Sequence, residues 1–204
     1  MKVTELRGSS AYHVHLNLAL ADAVEEYKTL SYEIQKHPPL SEETATAELT
    51  RLYYLHEEKC ITVILLAAAC VEAVVNFYLA TKTTPEQFAV LERATFIDKW
   101  VVLPSLFLKD YTFPKGSVLY QDLKLLHNRR NSLLHLKATI TEGGKIVHKG
   151  TELTVPSDEK VFIERCASLP DRLVRHITSF DPTGVQDLVI TLSITWRKHE
   201  EKSS

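Results

Sequence analysis

Cysteine is scarce in this sequence. Cys60, Cys70 and Cys166 are an odd number with no C-x-x-C pair, which fits neither a disulfide framework nor a zinc knuckle. Reduced, buried thiols are the expectation. The six glycines build no phosphate-binding loop, and no serine sits in a G-x-S-x-G elbow, so neither a phosphate-loop nucleotide site nor a serine hydrolase of that type is indicated. The histidines show no H-E-x-x-H spacing, and no metal or other cofactor is expected. An excess of charge of one sign is lacking too: Lys and Arg number 24 against 26 Asp and Glu, for a formal net charge of −2. A broad basic surface is therefore not expected, and any nucleic-acid contact has to be local or assembled by oligomerisation.

What is present is enough apolar sequence for one core. The chain has 204 residues, 45% hydrophobic and 25% charged, which suits a single domain over residues 1–204. Residues 61–80, "ITVILLAAACVEAVVNFYLA", reach the length of a membrane-spanning helix. Glu72 near the middle of that run and its alanine-rich composition oppose insertion. A buried helix is the expectation. The N-terminus, "MKVTELRGSSAYHVHLNL", lacks the apolar core and cleavage pattern of a signal peptide, so a cytoplasmic protein without a membrane partner is expected.

The periodicity predicts an all-α bundle with one interruption. Leu16, Leu20, Ala23, Val24, Tyr27, Leu30, Ser31 and Ile34 recur at helical spacing within residues 11–36. "HPPLSEE" breaks that helix, and Ser41 is the expected cap of a second, running from about Glu42 to Ala80. Thr84 and Pro85 open a third helical region, which Pro104 ends or kinks. Ser117 is the expected cap of a fourth helix reaching about Lys137. β-branched residues flanking Gly143 and Gly144 predict a small hairpin. A further helix is expected from about Ser157 to Ile177, and beyond "FDPTG" the helix and strand signals compete.

The fourth helix carries an anomaly. At about 100° per residue, with Leu119 as zero, Leu123 falls at roughly 40°, Leu126 at roughly 340° and Leu133 at roughly 320°. Arg130 falls at roughly 20°, inside this apolar stripe, whereas Arg129 lies at its margin near roughly 280°. A guanidinium in an apolar seam needs an anion or trapped water. Glu72 is the expected internal partner, because it shares a face with Asn76 four residues later on the most apolar helix.

Asn131 and His135 are also four apart and share a face, with His127 one turn earlier. His135 lies about 140° around from Arg130. The two can meet if the arginine side chain curls across, if the helix is distorted, or if a second copy of the chain supplies the complementary half.

Arg130, Asn131 and His135, the "RNSLLH" of residues 130–135, spell R-N-x-x-x-H. This resembles the R-x(4–6)-H motif, with a polar residue after the arginine, that marks HEPN domains. The context is similar, since the motif sits late in a helical bundle and an earlier apolar helix carries an acid, in "ACVEAVVNFYLA". The resemblance covers roughly residues 11–140, and it implies a HEPN-like bundle, commonly dimeric, whose active members cut RNA without a metal. Carried over position by position, it makes Arg130 and His135 the catalytic pair and Asn131 their polar support. Residues 141–204, with the hairpin and last helix, are an extension beyond the minimal pattern, and many family members are non-catalytic.

The chemistry suits these side chains. Metal-free RNA cleavage needs a base for the ribose 2′-hydroxyl, a cation for the phosphorane and an acid for the leaving 5′-oxygen, and a histidine can move those protons near neutral pH. Arg130 can hold two phosphate oxygens in its planar fork and stabilise the phosphorane, while His135 moves protons and Asn131 supports that pair. A homodimer would bring two histidines to one composite cleft. Glu72 and Asn76 are supporting candidates, and Lys137 and Arg129 are candidate RNA-phosphate contacts, although basic residues at a helix end also suit the dipole alone. His127 reads as a flank. Two functions stand at this level. One is an endoribonuclease, as a toxin paired with an antitoxin or regulatory protein, or as a stress or phage-defence effector. The other is a non-catalytic helical module that binds RNA, a nucleotide or a protein. For Arg130, an ion pair with Glu72 and a catalytic role can coexist.

Overall fold

The structure is a computed structural model that describes residues 3–38, 41, 43–134, 137–140, 146–149 and 159–184, with backbone alone for residues 3–13, 137–140, 146–149 and 159. In chain order the elements are α1 (Val3–Gln35), α2 (Ala47–Lys82), α3 (Pro85–Leu91), α4 (Phe96–Val101), a 3₁₀ turn (Leu103–Leu106), α5 (Val118–Leu134), β1 (Lys137–Ile140), β2 (Ile146–Lys149) and α6 (Glu159–Thr178). The fold is mostly helical, and α2 is its axis, packing against α1, α3, α4, α5 and α6.

The composition of α2 explains this central place. Val63, Ala67, Val71, Val75, Tyr78 and Leu79 are fully buried, and each large side chain among them contributes about 1.5–3 kcal/mol by leaving water. Leu20, Ala23, Val24 and Tyr27 face it from α1, Leu123 and Leu126 from α5, and Ile163, Leu169, Leu173 and Ile177 from α6. α2 is long and apolar enough to cross a membrane, and 56% of its most apolar window is buried inside the protein. Cys60, Cys70 and Cys166 are free and buried, and burial pushes the thiols of Cys70 and Cys166 up to about 12.

Local capping is set by nearest neighbours. Thr84 and Gln87 form a reciprocal capping box at the start of α3, with Pro85 in the first turn. Ser117 Oγ accepts from the Tyr120 N–H at 3.2 Å at the start of α5. The expected cap of the second helix needs correction. Ser41 is engaged in a turn, where its backbone N–H donates to Thr44 Oγ1 at 2.9 Å, so Thr46 caps α2 instead through the Leu49 N–H at 3.1 Å. The third helical region is divided into α3, α4 and the 3₁₀ turn, with Pro104 inside that turn.

The fourth helix is also shorter than expected. α5 ends at Leu134, and Lys137 begins β1, which pairs antiparallel with β2 from Lys137↔Lys149 to Ile140↔Ile146. His135, the turn around Gly143 and Gly144, and residues 185–204 lie outside the described residues. α6 continues through Pro170, which lacks the N–H of a regular turn. Just before it, the Arg165 carbonyl accepts from Arg172 Nη2 at 3.0 Å and from Ser168 Oγ at 3.2 Å.

Two buried carboxylates tie α6 and its C-terminal turn into the bundle. Asp122 on α5 is held by Arg165 and by Arg172 Nη2, the latter at 2.7 Å. Asp181 accepts from the Tyr78 hydroxyl at 3.1 Å and pairs with Lys82. Burial alone would raise the Asp181 carboxyl, but Lys82, the Gly184 N–H and Tyr78 outweigh it and hold the group below its usual range. Gly184 leaves room for this pair, because a Cβ there would displace the Asp181 carboxylate and the Lys82 ammonium.

Candidate functional site

The polar seam between α2, α4 and α5 starts from apolar contacts. Fully buried Leu123 and Leu126 seat α5 in the core, leaving its next turns to bring His127, Arg130 and Asn131 to the edge of the packed region. α4 is fastened independently. Trp100 Nε1 donates to the Val71 carbonyl at 3.1 Å, and the Trp100 carbonyl accepts from the Tyr111 hydroxyl at 2.6 Å. Because Val71 precedes Glu72, this anchor sets Lys99 beside the Glu72 carboxylate.

Lys99 is the closer partner of Glu72. Its side chain is 2% exposed and its ammonium lies 3.0 Å from Glu72 Oε1, whereas Arg130 Nη2 lies 3.9 Å from Glu72 Oε2. Arg130 and Glu72 are each about one-third exposed, with side-chain values of 34% and 33%. Two cations therefore share one carboxylate. The buried one takes the hydrogen-bonding distance, and the longer separation of the other exceeds a normal hydrogen bond. Arg130 Nη1 reaches Asn131 Oδ1 at 3.4 Å.

The polar chain continues along α5. Asn131 Nδ2 lies 3.0 Å from His127 Nε2. The His127 ring stacks on Phe96 of α4, with centroids 5.5 Å apart and planes 24° apart, and its buried Nδ1 has no hydrogen-bond partner among the described residues. Burial and the nearby Arg130 charge lower the His127 pKa from its ordinary 6.5, against an opposing pull from Glu72. The net shift favours the neutral imidazole.

Of the residues expected at the site, Glu72, Arg130 and Asn131 come together, and His135 lies outside the described residues. Asn76 keeps a buried side-chain oxygen without a hydrogen-bond partner among the described residues. Arg129 points elsewhere, with its guanidinium 6.0 Å from the Phe162 ring on α6. The Lys137 side chain is not among those described. The additions are Lys99, which sequence reasoning did not single out, and His127, which it had placed as a flank.

The signal for Lys99 was present in its spacing. It lies at i+3 from Phe96 and i−4 from Leu103, and these with Trp100 form a buried set at helical spacing. Among the described residues no group of three or more His, Cys, Asp or Glu could hold a metal. The arrangement can do two things chemically: offer a cation to an anion at its edge, and fix the orientation of one amide beside that cation. The chain matches no protein-family model, no curated protein and no solved structure.

Proposed function

We propose that this protein is a metal-independent endoribonuclease of the HEPN type, working as a cytoplasmic homodimer with a composite cleft. The observation that carries the reading is the uneven sharing of Glu72. Buried Lys99 holds its near oxygen at 3.0 Å, while Arg130 stands 3.9 Å from the other and is one-third exposed. A guanidinium so loosely held keeps donors for a phosphate.

In this reading a base removes the proton of the ribose 2′-hydroxyl, and the 2′-oxygen attacks the adjacent phosphorus. Arg130 stabilises the phosphorane, Asn131 supports Arg130, and His135 moves a proton to or from the reacting oxygens. The bond to the 5′-oxygen breaks as that oxygen is protonated. The products are a 2′,3′-cyclic phosphate and a 5′-hydroxyl. Glu72 and Lys99 keep the seam in register. A role as toxin, stress or defence effector, regulated by an antitoxin or similar protein, is in keeping with such an activity.

Purified protein incubated with RNA in EDTA is expected to release those products, and Arg130→Ala or His135→Ala is expected to lower the rate by about a hundredfold or more while circular dichroism stays unchanged. Undiminished cleavage by both variants overturns the assignment. A folded dimer that binds RNA and leaves a broad panel of transcripts intact replaces it with the non-catalytic binding module.

A further inference from the structure

Hydrogen-bond directions along α5 determine more than distances alone. A guanidinium can only donate, so the Asn131 atom facing Arg130 Nη1 at 3.4 Å is the amide oxygen. The amide nitrogen therefore faces His127 Nε2 at 3.0 Å. That NH₂ group also only donates, so Nε2 must accept, and the single proton of the neutral imidazole belongs on Nδ1. Nδ1 is buried with no acceptor among the described residues, and the ring is stacked on Phe96. The tautomer is thus selected by Asn131 rather than by a second partner behind the ring.

We propose that His127 is a positioning residue of the RNA-cleaving site, fixing the Asn131 amide so that its oxygen engages Arg130, and that acid releases this arrangement by protonating Nε2. The proposal rests on the nuclease reading for its catalytic consequence and on geometry for its structural one. A protonated Nε2 would place N–H against N–H. Turning the Asn131 amide over would satisfy the imidazolium but set the NH₂ group against Arg130, which cannot accept. One proton therefore costs one contact or the other: that to His127 if the amide stays, that to Arg130 if it turns.

The charged groups around His127 act in opposing directions. Arg130 on its own helix disfavours the imidazolium and Glu72 on α2 favours it, while Lys99 on α4 occupies the nearer oxygen of that same Glu72. Phe96, also on α4, covers one face of the ring and adds to the burial that disfavours the imidazolium.

The test uses the full chain and two readouts. First, kcat and KM for RNA cleavage are measured between about pH 5 and 8. His127→Gln places an amide oxygen near the position of Nε2 and can still accept. It is expected to keep kcat within about threefold at neutral pH and to lose the part of the acid limb that His127 contributes, leaving the part that His135 contributes. His127→Ala is expected to lower kcat about tenfold with KM within about twofold, as befits an interaction used in the transition state. Equal pH profiles in wild type and His127→Gln overturn the proposal, as does unchanged kcat in His127→Ala.

Second, NMR of the imidazole and side-chain amides reads the geometry without RNA and does not depend on the alanine variant folding. The expected result is the Nδ1–H tautomer at neutral pH, with Asn131 amide resonances that follow the His127 titration and become independent of it in His127→Gln. An Nε2–H tautomer, or an Asn131 amide indifferent to that titration, overturns the proposal. The expected coupling in a protein that cleaves no RNA supports the positioning of Asn131 and overturns only the nuclease reading.

Discussion

Asp122 and Glu72 each stand between two cations, yet the two clusters are built differently. Asp122 is 4% exposed by side chain, with Arg165 and Arg172 both at hydrogen-bonding contact. Glu72 is 33% exposed, contacts Lys99 at 3.0 Å and leaves Arg130 at 3.9 Å. In the first cluster the carboxylate is buried and both cations bond it directly, as a clamp between α5 and α6 requires, although the arginines themselves reach solvent. The second is closed on its buried side and open at its edge. A cation that packing does not need for neutralisation is the one available for a ligand.

The largest expected effect comes from breaking the closed cluster. Asp122→Ala leaves two guanidinium groups converging on a vacated site, and denaturant unfolding should show a loss of about 3 kcal/mol. A loss below about 1 kcal/mol would mean that solvent already screens this pair and that the contrast with Glu72 is overstated.

A smaller effect is expected at the open cluster, and it should be uneven. Glu72→Ala strands the buried Lys99 ammonium and should cost about 2 kcal/mol, whereas Arg130→Ala removes a partly exposed cation and should cost less than about 1 kcal/mol. Comparison of the two variants by thermal and denaturant unfolding checks this order. Equal costs would make Arg130 as much a structural ion-pair member as Lys99.

The smallest expected effect is a pH response that distinguishes the seam from the clamp. Burial is the leading cause that lowers the pKa of both His127 and His176 from the ordinary 6.5. As pH falls from about 6.5, the unfolded chain takes up protons before the folded one, so stability is full above that value and declines until the lower folded-state values are passed. His127→Gln should remove its own share of the decline and leave that of His176, which sits among Tyr111, Phe113 and Phe180. A decline identical to wild type would show that His127 is not the group titrating at the seam.

Much of the helical framework was legible because it depends on neighbours in sequence. Periodic apolar residues marked α1, α2, α5 and α6, and Thr84, Pro85 and Ser117 marked helix starts. Ser41 misled because its hydroxyl and backbone had a competing use in a turn with Thr44. The wheel that exposed Arg130 also holds Asp122, at roughly 300° from Leu119 and close to Leu126 and Leu133. A search for anionic as well as cationic residues in the stripe would have found it. Lys99 was hidden by its plain setting in "FIDKWVV".

The sequence by itself determined where polar side chains interrupt apolar faces: Glu72 in α2, Lys99 in α4, and Asp122 and Arg130 in α5. It also set the His127 and Asn131 pairing, because residues four apart on a helix meet whatever surrounds them. Only the tertiary structure decided which charges neutralise which. Lys99 reaches Glu72 across 27 positions, and Arg165 and Arg172 reach Asp122 across 43 and 50. Those partnerships depend on how close packing of the bundle aligns separate helices, and a displacement of a few ångströms would exchange one ion-pair partner for another.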